Sequence, residues 1–592
     1  MANTNIDLIK ALDKIRLNNL YVHNDELDDV KFTTEKLKDR KVYLVETLAV
    51  VNALVDRGTM LLYGGHGGGK TTLAKYLGQL FYHLSKDEIE ECILRGHPQL
   101  TEEKILGSLD IAQLTGRKDL NKKNQIDVIW NEFVDAEWKI IDELNRLSPY
   151  AQNVLLSLLA ESSVKYHNES KRLPNFSLYA TMNPKDEGNF IMSLPFLDRF
   201  AIALPITMPD YESLITIGKK DKSSKQDDLS TYLKDFDLQE VQGIVRNIKY
   251  SEDAELFINF IISSYRLCDI ISKESNDSIS VDKDLCKGCH FNAPEKVCNK
   301  IVHPLSVRVK EDLFRYGKAL TWLLGDNEVE PYHISVLAPY MIWHRSSLSK
   351  KFKNKFAEEQ SGSNLFTTNV DLDATKKIIF QINNEFVGIK DILKKFAQIK
   401  KGKLSETEFD TFLTDIKDPN NNFLLIKKEI IPILEDEYLP VYKQIIDYNS
   451  QIDNLKDIDT LKELKEELSF SYNIPNRQFL SDSIEKKIRT IGDSSLKEKT
   501  FKIPMEKFVE DVEKKCTELV KKIKLSYPEF PDNFYPAIRK VETLSDIADS
   551  EFDLTMERIS EIGEKYSLRF KYRGSQATTV YKFLSENNVN KL

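Results

Sequence analysis

The chain has 592 residues, a mass of 68.4 kDa and a formal net charge of −9, with 41% apolar and 30% charged residues. This length predicts about three or four domains, and the composition is that of a globular protein. No apolar run approaches the roughly 20 residues of a membrane-spanning helix, and the N-terminus lacks a signal-peptide core, so we expect a cytoplasmic protein without a membrane partner. The acidic balance argues against a protein that coats nucleic acid.

A glycine-rich loop follows an apolar run at residues 60–63. The run predicts a short buried strand, and apolar residues at helical spacing after the loop predict a helix. The segment GGHGGGKTT at 64–72 matches the Walker A pattern G-x-x-x-x-G-K-[ST] of nucleotide-binding proteins. This pattern can bind phosphate when it forms the turn between a strand and a helix, because backbone N–H groups and the helix N-terminus both attract phosphate.

The loop predicts a site for ATP and Mg²⁺. Lys70 can reach the β- and γ-phosphates, and the Thr71 hydroxyl can ligate Mg²⁺. We therefore assign nucleotide binding to the loop and the two threonines after its lysine, namely Gly64, Gly65, Gly67, Gly68, Gly69, Lys70, Thr71 and Thr72.

A second apolar run, at residues 138–141, ends in two acidic residues. We assign Asp142 to holding Mg²⁺ through its water shell and Glu143 to activating the attacking water, as in a Walker B motif. An acidic pair after a strand is common by itself. Its position some seventy residues after the Walker A pattern, at the carboxyl end of a strand, makes a hydrolytic site the better interpretation.

Four segments then resemble those of MoxR-type AAA+ ATPases. They are DELNRLSPYAQNVLLSLLAE from 142, LPNFSLYATMNP from 173, SLPFLDRFAIALP from 193 and the stretch that begins HPLSVRVKEDLF at 303. The resemblance covers roughly residues 30–345. It implies an α/β P-loop NTPase core with a parallel sheet, followed by a small all-α lid domain. The chain departs from the family at His66, where the phosphate loop usually has proline.

The resemblance also implies roles for three more residues. Asn183 falls at the sensor 1 position, which contacts the γ-phosphate and the lytic water. Arg199 falls at the arginine finger, which acts on the nucleotide of a neighbouring subunit. Arg308 matches the sensor 2 arginine, which reaches the nucleotide of its own subunit. With Glu143, these are the predicted catalytic residues.

Cysteines cluster at the place where the family's lid domain approaches its sensor 2 residue. Cys286, Cys289 and Cys298 read C-x2-C-x8-C, with Cys268 upstream. Four thiolates suit a structural Zn²⁺ ion, and His303 is the alternative to Cys268 as fourth ligand. A [4Fe–4S] cluster is the rival, since it takes four thiolates as well.

These patterns divide the chain into five parts. We predict an N-terminal helical segment (1–30), the α/β domain (31–210), the lid domain (211–345) with a metal-binding insertion (268–303), a linker (346–366) and a mainly helical accessory region that binds partners (367–592). In the last part, apolar residues between about 450 and 470 lie on one predicted helix face: Ile452, Leu455, Ile458, Leu461, Leu464 and Leu468.

The function that follows is ATP hydrolysis in a homo-oligomeric ring, a hexamer by resemblance, coupled to remodelling or maturing a client protein. MoxR-type proteins often work with a protein that carries a von Willebrand factor A domain, and here such a partner would be a separate chain. Two alternatives stay open: a nucleic-acid motor or restriction-type translocase, and a nucleotide-gated binding module. The intact Glu143 argues against the nucleotide-gated binding module, and the net charge argues against the nucleic-acid motor.

The cysteine pattern leads to a direct test. We expect purified protein to contain one colourless Zn²⁺ ion per chain, because a C-x2-C pair directs two thiolates at one tetrahedral ion. Replacing Cys286 or Cys289 with serine should remove the metal and lower the melting temperature. If elemental analysis finds stoichiometric iron, the site holds an iron–sulfur cluster and not zinc. Protein that binds no metal would refute the site.

Overall fold

The computed structural model describes residues 4–498 except 19–21, 23–24, 28–29, 117–125, 162, 168, 185–189, 210, 212–213, 216–228, 234–235, 266–295, 362–368, 419–422, 424, 456 and 476. The chain divides into two compact units, Met1–Lys395 with Phe423–Lys428, and Phe396–Asn422 with Glu429–Leu592. Across the described residues, every helix falls short of the length and apolar character that crossing a bilayer demands.

The N-terminal half of the first unit alternates helices and strands. In chain order its elements are α1 (Thr4–Asn18), α2 (Leu44–Ala53), β1 (Gly58–Tyr63), α3 (Lys70–Tyr82), α4 (Lys86–Glu91), β2 (Ile93–Arg95), α5 (Glu102–Leu106), β3 (Gly107–Leu109), α6 (Ile111–Leu114), β4 (Val128–Trp130), α7 (Glu132–Asp135), β5 (Trp138–Asp142), α8 (Pro149–Ala160), β6 (Ser163–Tyr166), β7 (Glu169–Arg172), β8 (Ser177–Met182), α9 (Leu194–Leu197) and β9 (Ile202–Pro205).

Five strands form one parallel sheet in the order β2-β5-β8-β1-β9. Strands β1, β5 and β8 are almost wholly buried, as expected for a parallel sheet covered by helices. Ala180 of β8 pairs with Leu61 of β1 on one side and with Ile141 of β5 on the other. This register brings the carboxyl ends of the three strands together, and the parallel sheet confirms the predicted α/β core.

Two short antiparallel strand pairs stand apart from the parallel sheet. Strand β3 pairs with β4, and β6 pairs with β7, each in antiparallel register. The second pair is a hairpin that lies within residues 161–174.

A helical region follows the sheet. It contains α10 (Leu238–Arg246), β10 (Lys249–Tyr250), α11 (Glu252–Ser264), α12 (Val307–Leu324), β11 (Glu328–Val329) and α13 (Pro331–Ile342). The buried Tyr316 of α12 ties this region to the sheet domain, because its hydroxyl donates to Asn52 Oδ1 (2.7 Å) and accepts from the backbone N–H of Thr59 (3.0 Å). These contacts hold the lid region against the beginning of β1.

The segment predicted as a linker contains a helix. Residues Lys350–Ser361 form α14, and Val370–Lys400 form the long helix α15. Phe352 and Phe356 are one turn apart with ring centroids 6.2 Å from each other, and Phe356 is buried. The charged composition that suggested a linker therefore belongs to the exposed face of an amphipathic helix.

The described part of the second unit is helical, in agreement with the predicted C-terminal region. It contains the end of α15, then α16 (Glu406–Ile416), a π-helical stretch at Ile433–Tyr438, α17 (Tyr442–Asn454), α18 (Ile458–Phe470) and α19 (Arg477–Glu498). The rings of Phe409 and Tyr442 stack at 4.4 Å, and Leu461, Leu464 and Leu468 of α18 are buried.

The apolar face predicted between about 450 and 470 is divided between two helices. Helix α17 ends at Asn454, and Asp457 begins α18 by accepting a hydrogen bond from the backbone N–H of Thr460 (3.0 Å). Aspartate is a strong N-cap, so the carboxylate starts a new helix where periodicity alone predicts continuation.

A lysine is buried in the strand that leads to the acidic pair. Lys139 of β5 has no exposed surface, and its Nζ donates to the carbonyls of Phe133 and Val134 (3.0 Å for the second) at the end of α7. Burial lowers the pKa of Lys139 to about 7. A neutral amine still has two N–H groups, which is the number that these two carbonyls require.

This lysine makes stability depend on pH. Between its folded pKa of about 7 and its ordinary value of 10.5, the unfolded chain binds more protons than the folded chain, so stability rises with pH. We expect the melting temperature of the wild type to rise relative to that of Lys139→Met by up to about 4 °C per pH unit for a domain of about 200 residues. The exposed-lysine control Lys10→Met should track the wild type. Parallel curves for wild type and Lys139→Met would contradict the assignment.

Candidate active site

A cavity of about 240 Å³ lies at the carboxyl ends of β1, β5 and β8. Its walls are the glycine-rich loop and the start of α3 on one side, and the ends of β5 and β8 on the other. The lining residues are His66, Gly67, Gly68, Gly69, Lys70, Thr71, Thr72, Asp142, Glu143, Thr181, Met182 and Asn183. The structure thus brings together most residues of the predicted Walker A and Walker B motifs and the predicted sensor 1 asparagine.

The loop has the geometry that its glycines allow. Gly67 and Gly69 have positive φ values of 75° and 79°, which side chains disfavour. A Cβ atom on Gly64 would lie 2.1 Å from the carbonyl oxygen of Ile206, so that position excludes any side chain. Helix α3 begins directly after Gly69 and presents its N-terminus to the cavity. Exposed backbone N–H groups at a helix N-terminus fit a phosphate chain.

Lys70 lies at the floor of the cavity. Its Nζ donates to the carbonyls of Gly64 (3.0 Å) and Gly65 (2.6 Å), and 9% of the residue is exposed. Burial lowers the pKa of Lys70, and the nearby carboxylates of Asp142 and Glu143 oppose this shift. The ammonium group is therefore held in the loop by weak carbonyl acceptors that a phosphate oxygen can replace.

Asp142 accepts two hydroxyl hydrogen bonds on the same oxygen. Thr71 Oγ1 donates to Oδ1 at 2.7 Å, and Thr181 Oγ1 donates to it at 2.6 Å. A carboxylate beside a threonine hydroxyl is the type of oxygen donor set that Mg²⁺ takes in nucleotide sites. The residues present therefore fit the magnesium ion that ATP binding requires.

Thr181 is a site residue that the sequence analysis missed. It is buried in β8, donates to Asp142 and accepts a hydrogen bond from the backbone N–H of Glu143 (3.0 Å). One hydroxyl therefore sets the position of both acidic residues. Its spacing from Asn183 could have indicated this role. Residues two apart in a strand lie on the same face, and Thr181 is two residues before Asn183, so both side chains are expected on the face that carries the site.

Glu143 has an unusual backbone conformation. Its φ is 57°, in the left-handed region that non-glycine residues seldom adopt. Its Oε2 pairs with Arg146 Nη1 at 2.9 Å. The turn points the Glu143 carboxylate away from the strand axis and into the cavity lining, where it can meet a water molecule.

Asn183 is held firmly at the end of β8. Asn145 Nδ2 donates to its carbonyl (2.8 Å), and its own backbone N–H donates to Asn145 Oδ1 (3.4 Å). Its side-chain Nδ2 lies 2.5 Å from Nε2 of His66, across the cavity. The amide at the predicted sensor 1 position therefore faces the phosphate loop.

The two predicted catalytic arginines lie elsewhere. Neither Arg199 nor Arg308 belongs to the described lining of the cavity. Arg308 Nη1 pairs with Asp198 at 3.2 Å, and Ser306 donates to the other carboxylate oxygen at 2.7 Å. Since Asp198 precedes Arg199 in the chain, this pair places Arg308 near Arg199. Burial lowers the pKa of Arg199, and the charge of Arg308 lowers it further.

A buried arginine braces the segment that carries Arg199. Arg345, which is fully buried, donates through Nε to the carbonyl of Phe200 (2.9 Å) and pairs through Nη2 with Asp312 of α12 (2.6 Å). His344 also contacts the Phe200 carbonyl (2.7 Å), and burial lowers its pKa to about 3. The end of the lid region thus fixes the backbone beside the predicted finger.

Most of the predicted metal site lies outside the described residues. Cys268, Cys286 and Cys289 fall in 266–295, whereas Cys298 lies in a short turn at Val297–Asn299 and His303 follows it. The described part of the chain contains no group of three metal-ligating side chains. The zinc site stays a prediction.

The position of Thr181 leads to a test of the site. We expect Thr181→Val to lower the ATP turnover number about tenfold, the effect of losing a hydrogen bond worth about 1 to 1.5 kcal/mol, because Asp142 and Glu143 lose a shared positioning group. Thermal melting and steady-state kinetics measure this. The control Thr321→Val removes an equally buried hydroxyl that bonds within α12 and should leave turnover unchanged. Equal turnover for Thr181→Val and the wild type would contradict the role.

Parts of this chain are similar to known proteins. Residues 59–200 match the family model described as AAA domain (dynein-related subfamily). The "Uncharacterized protein YeaC" of Bacillus subtilis (strain 168) is 26% identical over 221 residues, which are 36% of this chain and 63% of that relative. A crystal structure of a "putative ATPase" from Cytophaga hutchinsonii aligns with 64% of this chain and 94% of its own, at a TM-score of 0.43 and 18% identity. The segment of this chain that matches the AAA domain model, residues 59–200, contains the glycine-rich loop, the acidic pair and the strands that line the cavity.

Proposed function

We propose that this chain is a MoxR-type AAA+ ATPase that hydrolyses ATP in an oligomeric ring, a hexamer, and uses the energy to remodel or mature a separate client protein. The observation that carries the proposal is the single cavity that joins the glycine-rich loop, the Thr71–Asp142 pair, Glu143 and Asn183. These are the groups that phosphate binding, metal binding and water activation require.

The residues divide the work among themselves. The loop N–H groups and Lys70 bind the phosphate chain, and Lys70 exchanges its carbonyl partners for phosphate oxygens. Thr71 and Asp142 hold the magnesium ion, which when bound supplies positive charge to the β- and γ-phosphates. Thr181 keeps Asp142 and the backbone of Glu143 in place.

Glu143 is the general base in this proposal. Its Oε2 is engaged by Arg146, so Oε1 is the oxygen available to a water molecule unless the ion pair opens. The pair is more than a third exposed on both sides, and such pairs contribute little free energy, so opening costs little. Asn183, which follows the neighbouring strand β8, orients the same water.

Arg199 and Arg308 act at subunit boundaries in this proposal. Both lie outside the described lining of their own cavity, and Arg308 pairs with Asp198, the residue before Arg199. An arginine finger is useful only where a neighbour's phosphates approach it, which couples hydrolysis to ring assembly. The position of Arg308 beside Arg199 favours a shared boundary over the own-subunit role that the resemblance implies.

Three features support the MoxR type. The DELNR segment, the β6–β7 hairpin and the ATMNP segment follow one another as in that family. The client is a separate protein, and a von Willebrand factor A domain protein is the leading class. The cysteine insertion would brace the lid with Zn²⁺, and we place the protein in the cytoplasm.

A subunit-mixing experiment tests the ring. Arg199→Ala and Glu143→Gln chains should each lose turnover, by a factor on the order of 10³ for the finger variant. In an equal mixture, an intact cavity of one variant receives the finger of the other. Each boundary in a ring joins the cavity of one subunit to the finger of the next, because the subunits meet head to tail. In a randomly assembled ring, about a quarter of the boundaries therefore combine an intact cavity with an intact finger.

The matched control mixes Arg199→Ala with the double variant Arg199→Ala/Glu143→Gln. Neither chain in this mixture carries Arg199, so turnover should not rise above that of Arg199→Ala alone. Recovery in the control mixture, or wild-type turnover of Arg199→Ala alone, would refute action across a subunit boundary.

A further inference from the structure

The phosphate loop contains a single side chain among its glycines. Between Gly64 and Lys70 the sequence is Gly-His-Gly-Gly-Gly, so His66 is the only residue there that can offer a side-chain hydrogen bond. It lines the cavity and is otherwise exposed. Ideal Cβ atoms on its neighbours Gly65 and Gly67 would meet nothing within 4 Å, so the loop on both sides of His66 is not crowded.

The imidazole spans the cavity. His66 Nε2 lies 2.5 Å from Nδ2 of Asn183, and these two residues belong to opposite walls, the loop after β1 and the end of β8. Asn183 is 6% exposed and fixed by Asn145, so the mobile partner is the histidine on its glycine-rich loop. The contact therefore joins the phosphate loop to the water-orienting wall.

The contact is a hydrogen bond between an amide and an imidazole. With Nδ2–H of Asn183 as the donor, the unprotonated Nε2 of His66 is the acceptor. The contact therefore marks the point where the phosphate loop faces the end of β8.

The location of the contact identifies the part of the nucleotide that meets it. Glu143 and Asn183 must both reach the water that attacks the terminal phosphate, so that phosphate lies between them and the loop. A nucleoside triphosphate therefore places its terminal group next to His66. A diphosphate has no group at this position and leaves the contact between His66 and Asn183 undisturbed.

We propose that His66 is a positioning and specificity residue, which together with Asn183 receives the terminal phosphate and makes this AAA domain distinguish ATP from ADP. The inference rests on the proposed binding of ATP in this cavity.

Affinities for two nucleotides test this role. They are measured by calorimetry on the full chain in a Glu143→Gln background, with Mg²⁺ and either ATP or ADP. His66→Ala should weaken ATP binding about tenfold, the effect of one hydrogen bond to a charged group, and change ADP binding by less than about twofold. His66→Gln, whose amide can both donate and accept, should recover most of the ATP affinity.

Two controls separate positioning from folding. His66→Pro introduces the residue that MoxR-type loops usually carry, so it should fold and still lose the preference for ATP. His167→Ala, an exposed histidine of the β6–β7 hairpin, should leave both affinities unchanged. Melting temperatures confirm that each variant is folded.

The outcomes are distinct. Equal losses for ATP and ADP in His66→Ala would show that the histidine only shapes the loop, and unchanged affinities would show that it has no role; either result overturns the inference and leaves the proposed function standing. If the Glu143→Gln chain with His66 intact binds neither nucleotide, the proposed function and the inference are both overturned.

Discussion

Parallel pairing of β1, β8 and β5 is the constraint on which the site depends. Since Ala180 of the central strand pairs with Leu61 and Ile141, the three strands end at one edge of the sheet. The loop after β1, the acidic pair after β5 and the asparagine after β8 are thereby brought together, although more than a hundred residues separate the first from the last. The buried apolar faces of these strands supply the free energy that holds polar groups at their ends.

A small hydrogen-bond network converts this edge into a defined site. Asp142 accepts from a threonine on the phosphate-loop helix and from Thr181 on the central strand, and Thr181 also holds the backbone of Glu143. Each contact joins two different elements. The carboxylate that we propose binds the metal, the carboxylate that we propose activates water and the loop are therefore positioned relative to one another, which is the condition for electrostatic preorganisation.

Much of this site could be predicted from the sequence, because its signals are local. The loop, its lysine and the acidic pair each lie within a few residues, next to strands whose apolar runs are clear. Thr181 was missed because a threonine in a strand is ordinary, and only the register shows that its hydroxyl meets Asp142. His66 was noticed as a departure from a family pattern, but its contact with Asn183 depends on how two strand ends face each other.

Other differences have the same physical origin. The apolar stripe near residue 455 predicts one helix, yet the Asp457 cap begins a new one, since a capping hydrogen bond outweighs periodicity at that point. The charged segment at 350–361 folds as a helix because two phenylalanines one turn apart give it an apolar face. The positions of Arg199 and Arg308 depend on the packing of the lid end through Arg345, which no local pattern encodes.

The central claim is that one cavity binds ATP through Lys70 and hydrolyses it through Glu143. The most direct measurement compares ATP affinity and turnover for the wild type, Lys70→Ala and Glu143→Gln. The account predicts that Lys70→Ala loses binding and turnover together, whereas Glu143→Gln binds ATP as tightly as the wild type and does not turn it over. Equal ATP affinity for Lys70→Ala and the wild type, or undiminished turnover by Glu143→Gln, would contradict it.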